Sequence, residues 1–363
     1  MTVHPLIPTF RRSGVAMAVG AGLLLAGLLS SPAAMAARVI TVADMGELAP
    51  GLGSTAQAIN NANRTVGTAR EGVTLQTRQV VWDNLALQEF SACCTGFLPT
   101  LRSINLSGEV VGDYFATRDD SVPVYWNAQG TASTLPTLAN PSIGGFGFAN
   151  AINDAGQIAG AALDANMDTH AVIWQRTSSV RDLGFMGQPA AGFKRYSVAY
   201  GINAQGEVVG QGLVGSDQRA FLWRNGIYTN LGLGKASHIN NSGLIAGWTS
   251  GIIPVTWSAG VMKYLPALGG GRKAYGHLVN GMNNKGDLVG YAPSPTGGTF
   301  TIAVLWRGGK AIKLGHFPGG NNSYATGIND AGVIVGSGNL VPGGPHHALR
   351  WTVTNQAVTV ERQ

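Results

Sequence analysis

The chain has 363 residues, 45% of them apolar and only 12% charged, and 53 are glycine. So little charge with so much glycine excludes a mainly helical protein, whose surfaces draw on Glu and Lys, and suits a turn-dense all-β one. The formal charge of +6 is mild and no Lys/Arg run carries it, which argues against nucleic acid as a partner.

Residues 1–36 have the three parts of a secretory signal peptide. Arg11 and Arg12 supply the positive start, Gly14 to Leu29 is apolar, and Ala34-Met35-Ala36 offers the small residues of a cleavage site. Cleavage is expected after Ala36. The apolar stretch is short for a membrane span. Ser13-Gly14-Val15 after the arginine pair does not fit twin-arginine export, so the general secretory route is expected. Without Arg11 and Arg12 the chain keeps 22 basic and 18 acidic residues, a charge of +4. No second apolar stretch, no Cys just behind the cleavage site and no apolar tail follow. The mature chain, 37–363, is expected to be a single exported domain without a membrane span, periplasmic or extracellular.

Val39-Ile40-Thr41-Val42-Ala43-Asp44-Met45-Gly46 reads as a strand entering a turn. Comparable phrases return at Val180-Arg181-Asp182-Leu183-Gly184, Tyr228-Thr229-Asn230-Leu231-Gly232 and Ala311-Ile312-Lys313-Leu314-Gly315. A second phrase has the form Ile-Asn-x-x-Gly, then a β-branched run and a closing glycine. It is fullest at Ile328-Asn329-Asp330-Ala331-Gly332-Val333-Ile334-Val335-Gly336. The Asn side chain bonds its own backbone two residues on and Gly accepts φ > 0, so the phrase is a tight hairpin. Its seven asparagines are Asn60, Asn105, Asn153, Asn203, Asn240, Asn283 and Asn329. A third phrase ends in Trp about 20 residues after each Asn, at Trp82, Trp126, Trp174, Trp223, Trp257, Trp306 and Trp351. Only Trp248 stands outside it.

Each unit thus holds four short β segments joined by turn residues, which make one antiparallel sheet. Seven units in 327 mature residues give about 47 each, within the ~40–50 residues of a propeller blade. Such a sheet, apolar on both faces, must stack on copies of itself, and radial closure shields its edges. The expected fold is all-β, a seven-bladed β-propeller of four-stranded antiparallel blades. The alternative is a β-solenoid, which needs polar capping units that are not evident here. Closing the ring calls for one chain end to complete the last blade. Both 39–43 and Ala357-Val358-Thr359-Val360 have that position in the repeat, and the N-terminal segment is expected to serve.

The three phrases in register resemble the HAF family of bacterial extracellular repeat proteins, named for a His-Ala-Phe-(Leu)-Trp phrase. It is nearest here at His170-Ala171-Val172-Ile173-Trp174 and His347-Ala348-Leu349-Arg350-Trp351. The resemblance spans nearly all of residues 39–363 and implies an exported repeat protein. His stands in the signature only at those two places, and Glu361-Arg362-Gln363 is neither the sorting tail nor the membrane barrel of some relatives. The family lends no catalytic residue.

Residues that recur in every unit read as structural. The turn acids Glu109, Asp154, Glu207, Asp287 and Asp330 and the seven Asn are turn formers, and the seven Trp are packing. Function belongs where units differ. Asp113-Tyr114-Phe115-Ala116-Thr117-Arg118-Asp119-Asp120 gathers acids in an acid-poor chain, so Asp113, Asp119 and Asp120 are binding candidates. The insertion that ends Phe193-Lys194-Arg195-Tyr196 sets two aromatics beside two cations, suited to an acidic or glycan ligand. Asp164, Asn166 and Asp168 have the oxygen spacing that opens a calcium loop. Thr169 stands where Gly is needed and Gln175 where Glu is, so a solvated turn is expected and the metal reading is weak. Cys93 and Cys94 are adjacent, with Cα atoms ~3.8 Å apart against the usual ~4.4–6.8 Å of a disulfide. A vicinal bond between them would be strained, yet it is the one pairing open within the chain in an oxidising compartment.

No Gly-x-Ser-x-Gly elbow, His-Glu-x-x-His pair or Cys/His cluster occurs. The expected function is a secreted, non-enzymatic scaffold, monomeric and without a cofactor, whose loops bind a protein or glycan at the cell envelope. The alternative is a propeller-type hydrolase or lyase acting on an envelope polysaccharide, which needs two carboxyls about 5–10 Å apart.

Overall fold

Seven times the chain makes the same local decision. At Asn153 the side-chain Oδ1 accepts the backbone N–H groups of Ala155 and Gln157 at 3.1 and 2.9 Å, and Gly156 closes the turn at φ +76°. That turn commits the apolar runs on either side of it to an antiparallel pair. The computed structural model describes residues 37–91, 99–115, 121–138, 146–271, 273–274, 276–294 and 300–356. Among these there are 27 strands and no helix long and apolar enough to cross a membrane. Residues 38–354 form one compact unit.

Five sheets have four antiparallel strands and one has seven. In the larger sheet the strand Ile227–Ile239 serves two ladders, pairing through residues 227–233 with Asp217–Arg224 and through residues 234–239 with Ile245–Thr249. Divided there, the described residues hold seven four-stranded units: 54–91, 100–134, 147–182, 197–233, 234–264, 278–315, and 323–356 completed by 37–44. We number them one to seven. The fourth strand of unit seven is Ala37–Asp44, paired with His346–Gln356, so the N-terminal strand fills the place expected of it. Residues 1–36, Cys93, Cys94 and 357–360 lie outside the described residues.

The asparagines do more than cap their turns. Each Nδ2 donates to the backbone carbonyl of the next unit's Asn. The bonds run Asn60 to Asn105 at 2.9 Å, Asn105 to Asn153 at 3.3 Å and Asn153 to Asn203 at 2.9 Å. They continue from Asn203 to Asn240 and Asn240 to Asn283, both at 3.3 Å, and from Asn283 to Asn329 at 3.0 Å. Asn329 then donates to the Asn60 carbonyl at 3.1 Å, and the circuit is closed.

In every unit the first strand carries a bulge three residues before its Asn, at Gln57, Arg102, Asn150, Tyr200, Ser237, Asn280 and Thr326. The irregularity presses the inner strand onto its neighbour. A Cβ at Gly160 would lie 1.9 Å from the Phe148 carbonyl oxygen, and one at Gly290 only 1.7 Å from that of Leu278. The glycine that ends Val-Val-Gly is therefore required by close approach and not by its φ.

Between units lie the tryptophans of the third phrase, none more than 4% exposed. Four indole N–H groups donate to a carbonyl of the preceding unit: Trp82 to Met45 at 2.8 Å, Trp174 to Pro136 at 2.6 Å, Trp257 to Leu231 at 3.1 Å and Trp306 to Pro266 at 2.8 Å. One signature histidine ties the outer strand down in the same region, His170 Nδ1 lying 2.9 Å from Asp182, whereas His347 Nδ1 stands 3.3 Å from Asp44 without a hydrogen bond.

Candidate functional site

The inner strands line a central channel. An apolar collar of Ile59, Ile104, Ile152, Ile202, Ile239, Met282 and Ile328 borders a chamber of about 200 Å³ on the side of the Asn turns. All of the collar but Ile104 also borders a chamber of about 220 Å³ on the other side, which widens into a vestibule of about 320 Å³. The two ends differ in chemistry.

On the turn side the polar groups satisfy one another. Asp330 accepts from the Asn61 side chain at 2.8 Å and from the Asn284 backbone N–H at 2.7 Å, and Asp154 accepts from the Leu106 N–H at 2.8 Å. Glu109 and Asp287 accept from the Asn105 and Asn283 side chains at 2.6 and 3.1 Å, and each pairs with an arginine, Arg176 or Arg307. The turn acids are thus bound within the scaffold.

On the far side the seven bulged residues line the chamber, and no two neighbouring units repeat a residue there. A bulge re-aims a side chain out of the regular alternation. Asn150 and Asn280 donate through Nδ2 to the carbonyls of Ala199 and Ala325 at 2.8 and 3.0 Å, and Thr326 Oγ1 donates to Ala56 at 2.9 Å. The Oε1 of Gln57 is buried and has no hydrogen-bond partner among the described residues. Arg102 is hydrogen-bonded to Asp113, which is fully buried and also accepts from Ser121 Oγ at 3.3 Å.

Unit five brings the remaining groups. The Lys235 ammonium lies 3.4 Å from the Tyr200 ring centroid and 4.9 Å from that of Trp248. Burial, with a smaller push from Arg102, lowers its amine to about 8. Burial raises the Tyr200 phenol far above its ordinary range, and the neighbouring Tyr196 adds to this. Beside them His238 Nε2 lies 3.0 Å from the Asn280 carbonyl and Nδ1 lies 2.8 Å from Ser237 Oγ. A carbonyl can only accept, so in the neutral ring Nε2 carries the proton and Nδ1 accepts from the serine.

Burial lowers His238 to about 4, against the opposing bond to Asn280. Between about 4 and its unfolded value of ~6.5 the unfolded chain holds a proton that the folded chain does not, so stability must fall on acidification through that window. Full acidification should cost on the order of 3 kcal/mol from this residue. Urea unfolding at pH 7 and at pH 4.5 measures it. Most of the difference should vanish in His238→Gln, and a drop of the same size in that variant would assign the acid sensitivity elsewhere.

The residues singled out from sequence scatter. Asp113 stands behind Arg102, and Asp119 and Asp120 lie outside the described residues. Tyr196 reaches the vestibule wall, its hydroxyl 3.4 Å from that of Tyr200. Phe193 is exposed, and Lys194 and Arg195 turn to the neighbouring loop. Lys194 Nζ donates to the Asn166 carbonyl at 2.8 Å, and the Arg195 N–H donates to Asp168 at 3.0 Å. The calcium-like turn is occupied by its own backbone: Asp164 Oδ1 accepts the N–H groups of Asn166 and Asp168 at 2.8 and 2.9 Å. Among the described residues no three His, Cys, Asp or Glu side chains are placed to hold a metal. Sequence reasoning missed Tyr200, Lys235 and Arg102. The one available signal was Trp248, the tryptophan out of register, which lines the vestibule.

No family model matches the chain, and no curated protein matches it. Solved structures do. The β-propeller domain of the Trilobed protease from Pyrococcus furiosus aligns with a TM-score of 0.51 over 85% of this chain and 98% of its own, at 8% identity. A puromycin-hydrolyzing peptidase of Mycobacterium tuberculosis gives a TM-score of 0.53 over 85% of this chain and 53% of its own, at 12% identity. A puromycin hydrolase variant complexed with PGG gives 0.53 over 81% and 52%, at 9% identity. This chain is a β-propeller. It spans about half the length of the two puromycin-hydrolysing enzymes, and likeness at such identities extends to the propeller scaffold alone.

Proposed function

We propose that this propeller is exported and acts as a non-enzymatic binder, taking a glycan at the cell envelope into the bulge-side mouth of its channel. The observation that carries the reading is the contrast between the two ends. Seven positions that are equivalent in the fold hold the same Asn at one end, whereas at the other they hold Gln57, Arg102, Asn150, Tyr200, Ser237, Asn280 and Thr326. A scaffold alone needs no such variety, and amides, hydroxyls, a cation and an aromatic are the groups that recognise a polyol. A protein partner would instead want a broad apolar core to its interface.

Hydrolysis is less well supported. Asp113 is fully buried and engaged by Arg102 and Ser121, so it is not placed to exchange protons with a substrate. Export rests on the signal-like residues 1–36 and on the resemblance to the HAF repeat proteins.

The test expresses residues 1–363 in a bacterial host and collects the exported protein. Its mass should begin at Ala37, and it should be retained on immobilised envelope polysaccharide and eluted by soluble fragments of that polysaccharide. Steady release of new reducing ends from the column would overturn the binder in favour of the hydrolase or lyase. Retention of residues 1–36 in the cytoplasm would overturn export.

A further inference from the structure

We infer that the bulge-side vestibule contains a subsite for the carboxylate of a terminal uronic acid, with Lys235 as its ion-pairing group. This rests on the glycan-binding reading above and names the class of glycan. Lys235 is held between the faces of Tyr200 and Trp248, its ammonium 3.4 and 4.9 Å from the ring centroids. Aromatic faces attract a cation but do not replace a counter-ion, and a desolvated charge left unpaired is costly. Among the described residues no carboxylate pairs with Lys235, and the nearby Asp113 is taken by Arg102. Among the described residues, therefore, the pocket presents a positive charge that no carboxylate neutralises.

The surrounding groups say what else the anion carries. Asn150 and Asn280 spend their amide nitrogens on backbone carbonyls, which leaves their amide oxygens as acceptors, and the buried Gln57 Oε1 is a further acceptor without a partner. All three line the vestibule with Lys235 and Arg102. Acceptors require donors, so the fitting ligand has hydroxyl groups as well as negative charge. Inorganic phosphate or sulfate lacks that ring of hydroxyls. The isoleucine collar beneath forms an apolar floor, which suits the end of a glycan better than a strand threaded through the channel.

Among the described residues, the charged and titratable groups that line the vestibule with Lys235 are Arg102, Tyr200 and His238, with the Tyr196 hydroxyl against that of Tyr200. With the amine titrating near 8, affinity for a carboxylate should hold from pH 5.5 to 7 and decline as the pH passes from 8 to 9.5. The sugar acid stays ionised over that whole range, so the loss reports the amine.

The experiment is calorimetric titration of residues 37–363 with D-glucuronate, D-glucose and acetate, on the parent protein and on Lys235→Met, which keeps an unbranched side chain one atom shorter and removes the charge. Thermal melts establish that the variant is folded. Glucuronate is expected to bind at least tenfold more tightly than glucose or acetate, with that advantage lost in Lys235→Met and reduced above pH 8. Equal affinity for glucuronate and acetate would reduce the site to an adventitious anion contact and overturn the proposal. Equal affinity for glucuronate and glucose, unchanged in Lys235→Met, would overturn the carboxylate subsite while leaving the glycan binder standing. If no sugar binds and the envelope column fails to retain the protein, both readings fall together.

Discussion

Trp174→Ala should lower the free energy of unfolding by ~3–5 kcal/mol. The indole is fully buried between units two and three, packed among Val111, Tyr125 and Leu135 of one and Ala149, Ile158 and Val172 of the other. Truncation removes that apolar contact, leaves a cavity between two sheets that cannot collapse independently, and strands the Pro136 carbonyl that Nε1 meets at 2.6 Å. Trp174→Phe separates the two terms. It restores most of the volume and loses the bond, so about 1–2 kcal/mol is expected. Trp126 offers the comparison within the same protein, because its Nε1 has no partner among the described residues, and Trp126→Phe should cost less than Trp174→Phe. Urea unfolding with an unchanged m-value gives each number. A loss below about 1 kcal/mol for Trp174→Ala would mean that the tryptophans are not what holds neighbouring blades together.

Asn240→Asp should be nearly as damaging, on the order of 4 kcal/mol, although the two side chains have the same shape. The Oδ1 of Asn240 accepts the N–H groups of Ser242 and Leu244 at 3.1 and 2.9 Å and the Ser242 hydroxyl at 2.8 Å, and an aspartate can do the same. The Nδ2, however, donates to the Asn283 carbonyl at 3.3 Å, and an ionised carboxylate there would face an acceptor in a buried site. Capping alone predicts little change, whereas the ring of inter-blade bonds predicts a large loss that shrinks as the pH falls and the carboxyl takes up a proton. Denaturation midpoints at pH 7 and pH 4 distinguish the two. Unit five is the right place to look, because Leu244 leaves Asn240 without the acidic partner that Glu109 provides for Asn105.

The repeats were legible because each phrase answers a demand that recurs in every blade. Asn-x-x-Gly makes a hairpin by local bonding, and Trp fills a gap of the same size seven times. The periodicity of those demands survives in the sequence without any knowledge of the contacts. The glycine of Val-Val-Gly was legible as a position but not as a cause, since nothing local shows that an inner-strand carbonyl passes within 2 Å of where its Cβ would be. The mouth was not legible at all. Gln57, Arg102, Asn150 and Tyr200 look like ordinary strand residues, separated by some forty to fifty positions, and a period-two reading cannot tell which of them a bulge turns toward the channel. Loops such as 193–196 are where the departures from the repeat are conspicuous in sequence. Of those residues Tyr196 comes beside Tyr200, and Lys194 and Arg195 bind the turn at 164–168.

Sequence by itself determined the four-stranded unit and its turn chemistry, because hairpin geometry and the need to bury a two-faced apolar sheet are properties of short segments. Tertiary structure alone decided that the asparagine bonds return to their starting point and that Lys235 meets Tyr200 and Trp248. Those facts depend on how units far apart in the chain come to rest against one another, and no short segment carries that information.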